Sequence, residues 1–404
     1  MTFDPFAVRR RRLSLPDMWH DIRLVSDDSH FEGSPDLWRP YVDAEFREWV
    51  PKVVKLPNGG DAWQMPGKGA EEPPIPLGLN LASGRAWTEL KTSGISYSDA
   101  MNVGMGDAAQ RLAEMDRDGI DAEVVYAPVA GKRSLHGYLP REAYIAVTRG
   151  YNDWLSQEYT AADPDRLLGL AILPNTNVDD AVDELRRVAT MPGIRAIALA
   201  NWPNGGGHPR PEDDRFWAVA DELGMPLTFH FSFGDCKDER PAQQQGNWAP
   251  ISTLLTRVDT NAGTAFCCTQ IIVNGIFDRY PNLRFSIGEC GASWVPAYAM
   301  QADTNYHRHR FHAGIELAHE PSWYVKRHFL FGMQDDTVAI RIRNEIGVQS
   351  MTWGTDFPHV ASDWPHTGAL LDKMFDGVPT EDARAILGGN LSKHLKLDRV
   401  PVAV

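Results

Sequence analysis

The chain has 404 residues, 43% hydrophobic and 23% charged, as in soluble globular proteins. The net charge of −14 argues against a nucleic-acid or anionic-membrane partner. No apolar stretch reaches the ~20 residues that a membrane-spanning helix needs. The arginine run at residues 9–12 lacks the apolar core of a signal peptide, and the cysteines have no CxxC spacing. These features indicate a cytoplasmic protein with reduced thiols.

The N-terminal quarter of the chain contains one short strand between two segments without clear periodicity. Residues 1–20 are predicted to form an arm that is disordered or contacts a neighbouring subunit. Residues 22–26 form an apolar strand. Residues 33–97 are rich in Pro, Gly and Trp, and an irregular segment of this length inside a compact domain is often functional. We predict that it is a cap or an oligomer contact, with Trp63 and Trp87 buried.

Strands and helices alternate over the remainder of the chain. Apolar runs predict further strands at residues 120–127, 167–173, 194–200, 226–231, 283–288, 328–332 and 349–353. Helical periodicity predicts helices at residues 98–118, 141–161, 178–191, 215–223, 260–280, 293–310, 337–346 and 383–395.

The eight predicted strands are apolar almost throughout, which is typical of parallel strands buried on both faces. Eight such units favour a (β/α)8 TIM barrel, an α/β fold, as a single domain over residues 21–400. Residues 33–97 would be its N-terminal cap insertion. No GxGxxG motif follows the first strand, so the main indication of a dinucleotide-binding fold is missing.

Ionisable side chains lie at the ends of four of these strands. They are Asp28, His30 and Glu32 after strand one, His230 in strand five, Glu289 after strand six, and Asp356 and His359 after strand eight. Catalytic groups of a TIM barrel lie at the carboxyl ends of its strands, so these side chains are expected to converge. Histidines and carboxylates together form a mixed nitrogen and oxygen ligand set that suits zinc, manganese or iron(II).

Each candidate also has a simpler explanation when it is taken alone. A histidine in an apolar strand, such as His230, is often a hydrogen-bonded core residue. An Asp-x-His sequence at a strand end is often a turn, and Glu289 could cap the helix that follows it. Placement of the candidates at the ends of four separate strands favours a functional site.

Several motifs resemble amidohydrolase family 2, which includes non-oxidative aromatic decarboxylases and C–C hydrolases. They are Asp-Ser-His at residues 28–30, Pro-Leu-Thr-Phe-His at 226–230, Glu-Cys-Gly-Ala-Ser-Trp-Val-Pro at 289–296, Gly-Thr-Asp-Phe-Pro-His at 354–359 and Ile-Leu-Gly-Gly-Asn at 386–390. The resemblance covers most of the chain. It implies a metal-dependent TIM barrel whose metal ligands are Asp28, His30, His230 and Asp356.

The chain departs from the family pattern at three positions. Many members have His-x-His or Glu-x-His at strand one, where this chain has Asp28-x-His30. Decarboxylase members often have a histidine on strand six, where this chain has Glu289. Residues 194–200 contain no lysine, so a carbamylated lysine bridging two metals is not expected.

The main hypothesis is an enzyme that binds one divalent metal ion, either zinc, manganese or iron. It would hydrolyse or non-oxidatively decarboxylate a small carboxylated or aromatic substrate. Asp356 would act as a base at the metal, and Glu289 or His359 would be the second acid or base. We also expect a homo-oligomer, or a hetero-oligomer with a related subunit.

Two alternatives remain open at the level of the sequence. In one, the same barrel is a dinuclear manganese/iron or di-iron hydroxylase that activates oxygen, with Glu32 and Glu289 as ligands of a second metal. In the other, the chain is a structural subunit without turnover.

Overall fold

The structure is a computed structural model. It describes residues 19, 21–66, 74–77, 83–84, 94–98, 103–128, 139–231, 233–234 and 260–397. Apart from Trp19, the predicted N-terminal arm lies outside the described residues, as does Trp87.

The strands of the described chain form two sheets. In chain order the strands are β1 (Val25–Ser26), β2 (Lys52–Lys55), β3 (Asp61–Gln64), β4 (Ile75–Pro76), β5 (Ala122–Val125), β6 (Leu167–Ile172), β7 (Ile194–Leu199), β8 (Leu227–His230), β9 (Phe285–Gly288), β10 (Phe329–Met333) and β11 (Met351–Trp353). The larger sheet has eight parallel strands in the order β1, β5, β6, β7, β8, β9, β10, β11. Each of the eight predicted strands overlaps one strand of this sheet.

The first and last strands of the large sheet lie next to each other. The Asp27 backbone N–H donates to the Trp353 carbonyl at 3.0 Å. Just beyond, Ser29 forms a parallel bridge with Phe357. The sheet is therefore closed into a ring, and the predicted TIM barrel is confirmed.

Alternate strand residues fill the inside of the ring because successive side chains of a strand point to opposite faces. They form an apolar cluster that is separate from the main core. This cluster includes Val25, Ala122, Val124, Tyr126, Leu168, Leu170, Ala196 and Ala198. Residues of the opposite parity, such as Leu167, Ile197 and Leu199, belong to the larger core that includes the helices.

Helices follow the barrel strands. They are α1 (Ala108–Asp118), α2 (Arg141–Trp154), α3 (Val178–Val188), α4 (Asp214–Leu223), α5 (Thr260–Val273), α6 (Ile276–Arg279), α7 (Val295–Ala313), α8 (Pro321–His328), α9 (Thr337–Arg341), α10 (Arg343–Ile346), α11 (Thr367–Met374), α12 (Thr380–Arg384) and α13 (Asn390–His394). Within the described ranges, none of them combines the length and the apolarity needed to cross a bilayer.

The first helix was predicted at residues 98–118, and its predicted start is wrong. It begins at Ala108, because the Asp107 side chain accepts a hydrogen bond from the Gln110 N–H at 2.9 Å and so caps the first turn. The predicted helix at residues 260–280 is interrupted where Gly275 adopts a φ of 63°. A side-chain cap and a left-handed glycine therefore override the apolar periodicity at these two points.

The insertion at residues 33–97 contains a small antiparallel sheet, β2–β3–β4, that the sequence did not predict. Its strands have at most four residues, which is too few to show a reliable alternation of apolar and polar side chains. Trp63 is buried, as expected, and its ring lies 5.6 Å from that of Trp38. The Ser83 hydroxyl donates to the His359 carbonyl at 3.2 Å. The insertion thus reaches the loop after β11, while its role as a cap remains a prediction.

His328, at the end of α8, is a buried histidine outside the candidate site. Its Nδ1–H donates to the Leu283 carbonyl at 2.8 Å, and its ring stacks on Phe277 at 4.0 Å. Burial, reinforced by the charges of Arg284 and Arg327, lowers the pKa of His328 to about 4. The imidazole is therefore neutral in the folded protein at neutral pH.

We expect this histidine to make the free energy of unfolding depend on pH. Between about 4 and 6.5 the unfolded chain binds the extra proton, so stability should rise with pH in this window. The slope from one group is about 1.4 kcal/mol per pH unit at most. The free energy of unfolding is measured by urea denaturation at several pH values in this window. It should rise less steeply with pH for His328→Gln than for the wild type. An unchanged slope would contradict the assignment.

Candidate metal centre

The loops that follow β1 and β11 are joined by backbone and hydroxyl hydrogen bonds. The Asp356 N–H donates to the Asp28 carbonyl at 2.9 Å, and the Thr355 N–H donates to the Ser26 hydroxyl at 2.9 Å. The Ser26 hydroxyl in turn donates to the Asp28 carbonyl at 2.8 Å. Closure of the barrel therefore brings together Asp28 and Asp356, which are far apart in the sequence.

Four predicted ligands meet at the carboxyl end of the barrel. Asp28, His30, His230 and Asp356 each offer one atom, and these atoms lie within 4.8 Å of one another. His30 Nε2 is 3.1 Å from His230 Nε2, 3.2 Å from Asp28 Oδ1 and 3.4 Å from Asp356 Oδ1. His230 Nε2 is 3.5 Å from Asp28 Oδ1. All four residues are buried.

The spacing and chemistry of these atoms fit a divalent cation. Atoms that ligate one tetrahedral metal at about 2.1 Å lie roughly 3.4 Å apart, close to the distances observed here. Asp28 Oδ1 is buried and accepts no hydrogen bond, which is unfavourable for a carboxylate without a cation. Two carboxylates would balance the charge of a divalent ion.

Electrostatics keep both carboxylates ionised. Burial alone would raise the pKa of Asp28, but His230 and His30 outweigh it and hold that pKa below its ordinary value. Burial also opposes ionisation of Asp356, and His359 and His30 together lower its pKa. Both side chains are thus in the protonation state that metal binding requires.

The backbone is strained at the ends of three barrel strands. Among the described residues, four non-glycine residues have a positive φ, and three of them lie in this region. They are Phe231 at 36°, Glu289 at 51° and Asp356 at 49°. Left-handed non-glycine residues cost free energy and cluster at functional sites. Two of these three residues, Glu289 and Asp356, are candidate site residues.

The Glu289 carboxylate lies at the edge of the ligand cluster. Its Oε2 is 3.4 Å from His230 Nε2, and its side chain is 14% exposed. The N-cap of the next helix, α7, is Trp294, five residues further along the chain. Glu289 therefore faces the site and does not cap that helix.

His359 lies between two carboxylates. Its Nδ1 is 2.9 Å from Asp356 Oδ1, and its Nε2 is 3.2 Å from Glu32 Oε1. Its ring stacks on that of His30 at 3.9 Å. Burial would lower the pKa of His359, but Asp356 and Glu32 raise it well above its ordinary value. Both ring nitrogens of His359 therefore face carboxylate oxygens, an arrangement that favours the protonated ring.

Two polar residues near the proposed ligands were not predicted, because only histidines and carboxylates were considered at the strand ends. Gln334 follows β10 directly, and its Nε2 donates to Asp28 Oδ2 at 3.2 Å, which leaves Oδ1 facing the other ligands. Tyr126 follows β5, and its ring lies 5.5 Å from that of His30. Applying the strand-end rule to every polar residue would have found both.

Asp27 is a third residue that the sequence did not single out. Its carboxyl group is buried beside Thr352, whose hydroxyl donates to Oδ2. Burial, with a contribution from the Asp28 charge, raises the pKa of Asp27 well above its ordinary value. The pKa values of two consecutive aspartates are therefore shifted in opposite directions, upward for Asp27 and downward for Asp28.

Curated relatives of the chain are decarboxylases. The chain is 25% identical over 296 residues to 2-amino-3-carboxymuconate-6-semialdehyde decarboxylase of Dictyostelium discoideum, covering 72% of this chain and 77% of that protein. It is 25% identical over 355 residues to gamma-resorcylate decarboxylase of Rhodococcus jostii (strain RHA1), covering 80% and 96%. These relatives give no support to the oxygen-activating hypothesis.

Solved structures share the fold. A 5-carboxyvanillate decarboxylase from Sphingomonas paucimobilis superposes with a TM-score of 0.65 at 18% identity, covering 93% of this chain and 99% of that one. A dihydroxybenzoic acid decarboxylase from Polaromonas sp. JS666, with bound manganese and the inhibitor 2-nitroresorcinol, has a TM-score of 0.59 at 17% identity, covering 94% and 98%.

The family model described as Amidohydrolase matches residues 61–392, which is most of the chain. The match extends from β3 of the insertion to α13 and includes His230, Glu289 and Asp356. The chain belongs to this amidohydrolase family, as its motifs predicted.

Proposed function

We propose that the protein is a metal-dependent decarboxylase that replaces the carboxylate of a small aromatic or unsaturated substrate with a proton. The observation that carries the proposal is the buried cluster of Asp28, His30, His230 and Asp356, with its donor atoms within 4.8 Å of one another. Decarboxylase relatives at 25% identity support this choice over hydrolysis.

The four clustered side chains would hold one divalent ion. Manganese, which is bound in a structural neighbour, is the ion that we propose to test first. When bound, such an ion polarises a substrate oxygen and stabilises negative charge on it. Gln334 orients Asp28 for this role through its bond to Oδ2.

The reaction requires one proton at the carbon that carries the carboxylate. The proton forms the new C–H bond, the electron pair of the broken C–C bond returns to the substrate, and carbon dioxide leaves. We propose that Asp356 delivers this proton after receiving it from His359, whose Nδ1 lies 2.9 Å from Asp356 Oδ1. Glu32, at the other ring nitrogen, keeps His359 charged and oriented.

Glu289 is proposed as the second acid or base. Its side chain is more exposed than that of Asp356, at 14% against 2%, so it lies nearer to solvent than the proposed proton donor. It could exchange a proton with water or orient the substrate while Asp356 acts on carbon. The alternative role of Glu289 is that of a ligand of a second metal, together with Glu32. The predicted oligomer and cytoplasmic location remain predictions.

The proposal is tested by reaction in deuterium oxide. Manganese-loaded protein is incubated with a panel of hydroxylated aromatic carboxylates, and products are analysed by NMR while carbon dioxide is measured. We expect deuterium at the carbon that lost the carboxylate, and one carbon dioxide for each product molecule. Asp356→Asn should abolish both signals, since it removes the group that delivers the proton.

Two other outcomes would contradict the proposal. Oxygen uptake that depends on substrate, with a hydroxylated product, would indicate the oxygenase. Incorporation of ¹⁸O from labelled water, without release of carbon dioxide, would indicate a hydrolase.

A further inference from the structure

A buried arginine on α1 lies directly behind the two loops that carry the metal ligands. Arg111 is only 2% exposed. Its Nε donates to the carboxylate of Glu123, on β5, which is equally buried. A buried ion pair of this kind rarely adds net stability, so its presence calls for another explanation.

The other two nitrogens of the guanidinium contact backbone of the site. Nη1 donates to the His30 carbonyl at 3.2 Å, and Nη2 donates to the Phe357 carbonyl at 3.4 Å. The guanidinium also lies over the Phe357 ring, 4.3 Å from its centroid. One side chain therefore contacts a proposed ligand residue of the first loop and the residue after Asp356 in the last.

The contact is made where the two loops must keep their relative position. The His30 N–H donates to the Phe357 carbonyl at 2.7 Å, so that carbonyl accepts from both His30 and Arg111. His30 Nε2 lies 3.4 Å from Asp356 Oδ1. A shift of either loop would change this distance directly. The planar guanidinium, with donors in a fixed geometry, can restrain both carbonyls at once.

We propose that Arg111 is a positioning residue of the metal centre: anchored by Glu123, it holds the His30 and Phe357 carbonyls so that His30 and Asp356 face the same ion. The inference rests on the proposed metal site and does not depend on the reaction that the site performs. Arg111 touches neither metal nor substrate, and it acts through the two backbone segments.

The chain contains a matched control at the opposite end of the barrel. Arg166 is also buried, and it also contacts two carbonyls, of Asp121 at 3.0 Å and of Ile120 at 2.9 Å. Its Nη1 lies 2.9 Å from the Asp116 carboxylate. These groups precede β5 and β6, at the amino ends of the strands. Like Arg111, Arg166 thus contacts one carboxylate and two carbonyls, and among the described residues none of these partners is a proposed metal ligand.

The experiment compares Arg111→Lys with Arg166→Lys. Each change keeps the positive charge and removes the planar guanidinium with its several N–H donors. Manganese affinity of the metal-free proteins is measured by competition with a chromophoric chelator, and unfolding by urea is measured on the same samples. We expect Arg111→Lys to weaken manganese binding by about 10–100-fold, the usual effect of removing a partner of a metal ligand. Arg166→Lys should bind as the wild type does, even if it is equally destabilised.

Three results would overturn the proposal. Equal loss of affinity in both variants would show a general effect of stability, and wild-type affinity in Arg111→Lys would show that the carbonyl contacts do not matter. No manganese or zinc binding by the wild type would refute the metal site itself.

A second variant is used if Arg111→Lys does not fold. Replacing both members of a buried ion pair with neutral residues of similar volume is often close to neutral for stability. Arg111→Met with Glu123→Gln should therefore fold and still bind manganese about 10–100-fold more weakly. If this double variant is folded and binds manganese as tightly as the wild type, or if it too is unfolded, the proposed role is rejected in favour of a purely structural one.

Discussion

His230→Ala is expected to lower metal affinity by more than ~100-fold while leaving the folded structure intact, since even changes beside a ligand cost 10–100-fold. His230 is the proposed ligand from β8, and its Nε2 lies within 3.5 Å of both His30 Nε2 and Asp28 Oδ1. Its loss leaves three ligands on loops from only two strands. Metal content after dialysis and circular dichroism would be measured together.

A histidine remote from the site is the control for this experiment. His307, on α7, is exposed and pairs with Glu320 at 2.8 Å. His307→Ala should retain wild-type metal content. Full occupancy in His230→Ala would show that His230 is not a ligand, while loss of helical signal would show that the substitution acts on the fold.

Metal binding also predicts a change in stability. Because the ligand cluster does not exist in the unfolded chain, bound metal stabilises the folded state according to its concentration and affinity. At a concentration 100 times the dissociation constant the gain is about 2.7 kcal/mol. His230→Ala should remove most of the metal-dependent shift in unfolding midpoint, and this measurement needs no substrate.

Glu289→Gln is expected to reduce turnover by about 10²–10⁴-fold while one metal ion remains bound. Glutamine keeps the shape of the side chain and removes its charge and its capacity to transfer a proton. The Oε2 atom of Glu289 lies 3.4 Å from His230 Nε2, as close as some of the proposed ligands are to each other. The number of metal ions therefore has to be measured alongside turnover.

The comparison with Glu32→Gln decides between one metal and two. In the mononuclear proposal, neither substitution changes the metal content of one ion per chain. If Glu32 and Glu289 hold a second ion, the wild type contains two, and each variant loses one. Unchanged turnover in Glu289→Gln would make that residue structural.

The barrel was predictable from the sequence because each of its strands and helices is indicated by a pattern within one short segment. Strands such as residues 167–172 are continuous apolar runs, and the helices between them have clear periodicity. The rule that catalytic groups lie at strand ends then selected Asp28, His230 and Asp356 without knowledge of their contacts. The sequence patterns failed where strands were short, as in β2–β4, or where a side-chain cap such as Asp107 fixed the start of a helix.

Contacts between residues that are distant in the sequence could not be predicted from such local patterns. Arg111 is one of two arginines on a helix whose pattern predicts only amphipathicity, and its partners Glu123, His30 and Phe357 belong to three other segments. The pairing of Glu32 with His359 likewise joins residues 327 positions apart.

Residue type and strand position along the chain were sufficient to identify the barrel, its family and the side chains able to bind a metal, because these depend on burial and on motifs of a few residues. Protonation states and the orientation of the ligands depend on distances across the closed barrel. Asp27 and Asp28 are adjacent and chemically identical, yet the pKa of Asp27 is raised and that of Asp28 is lowered. The difference arises because folding buries Asp27 beside Thr352 and places Asp28 against two histidines.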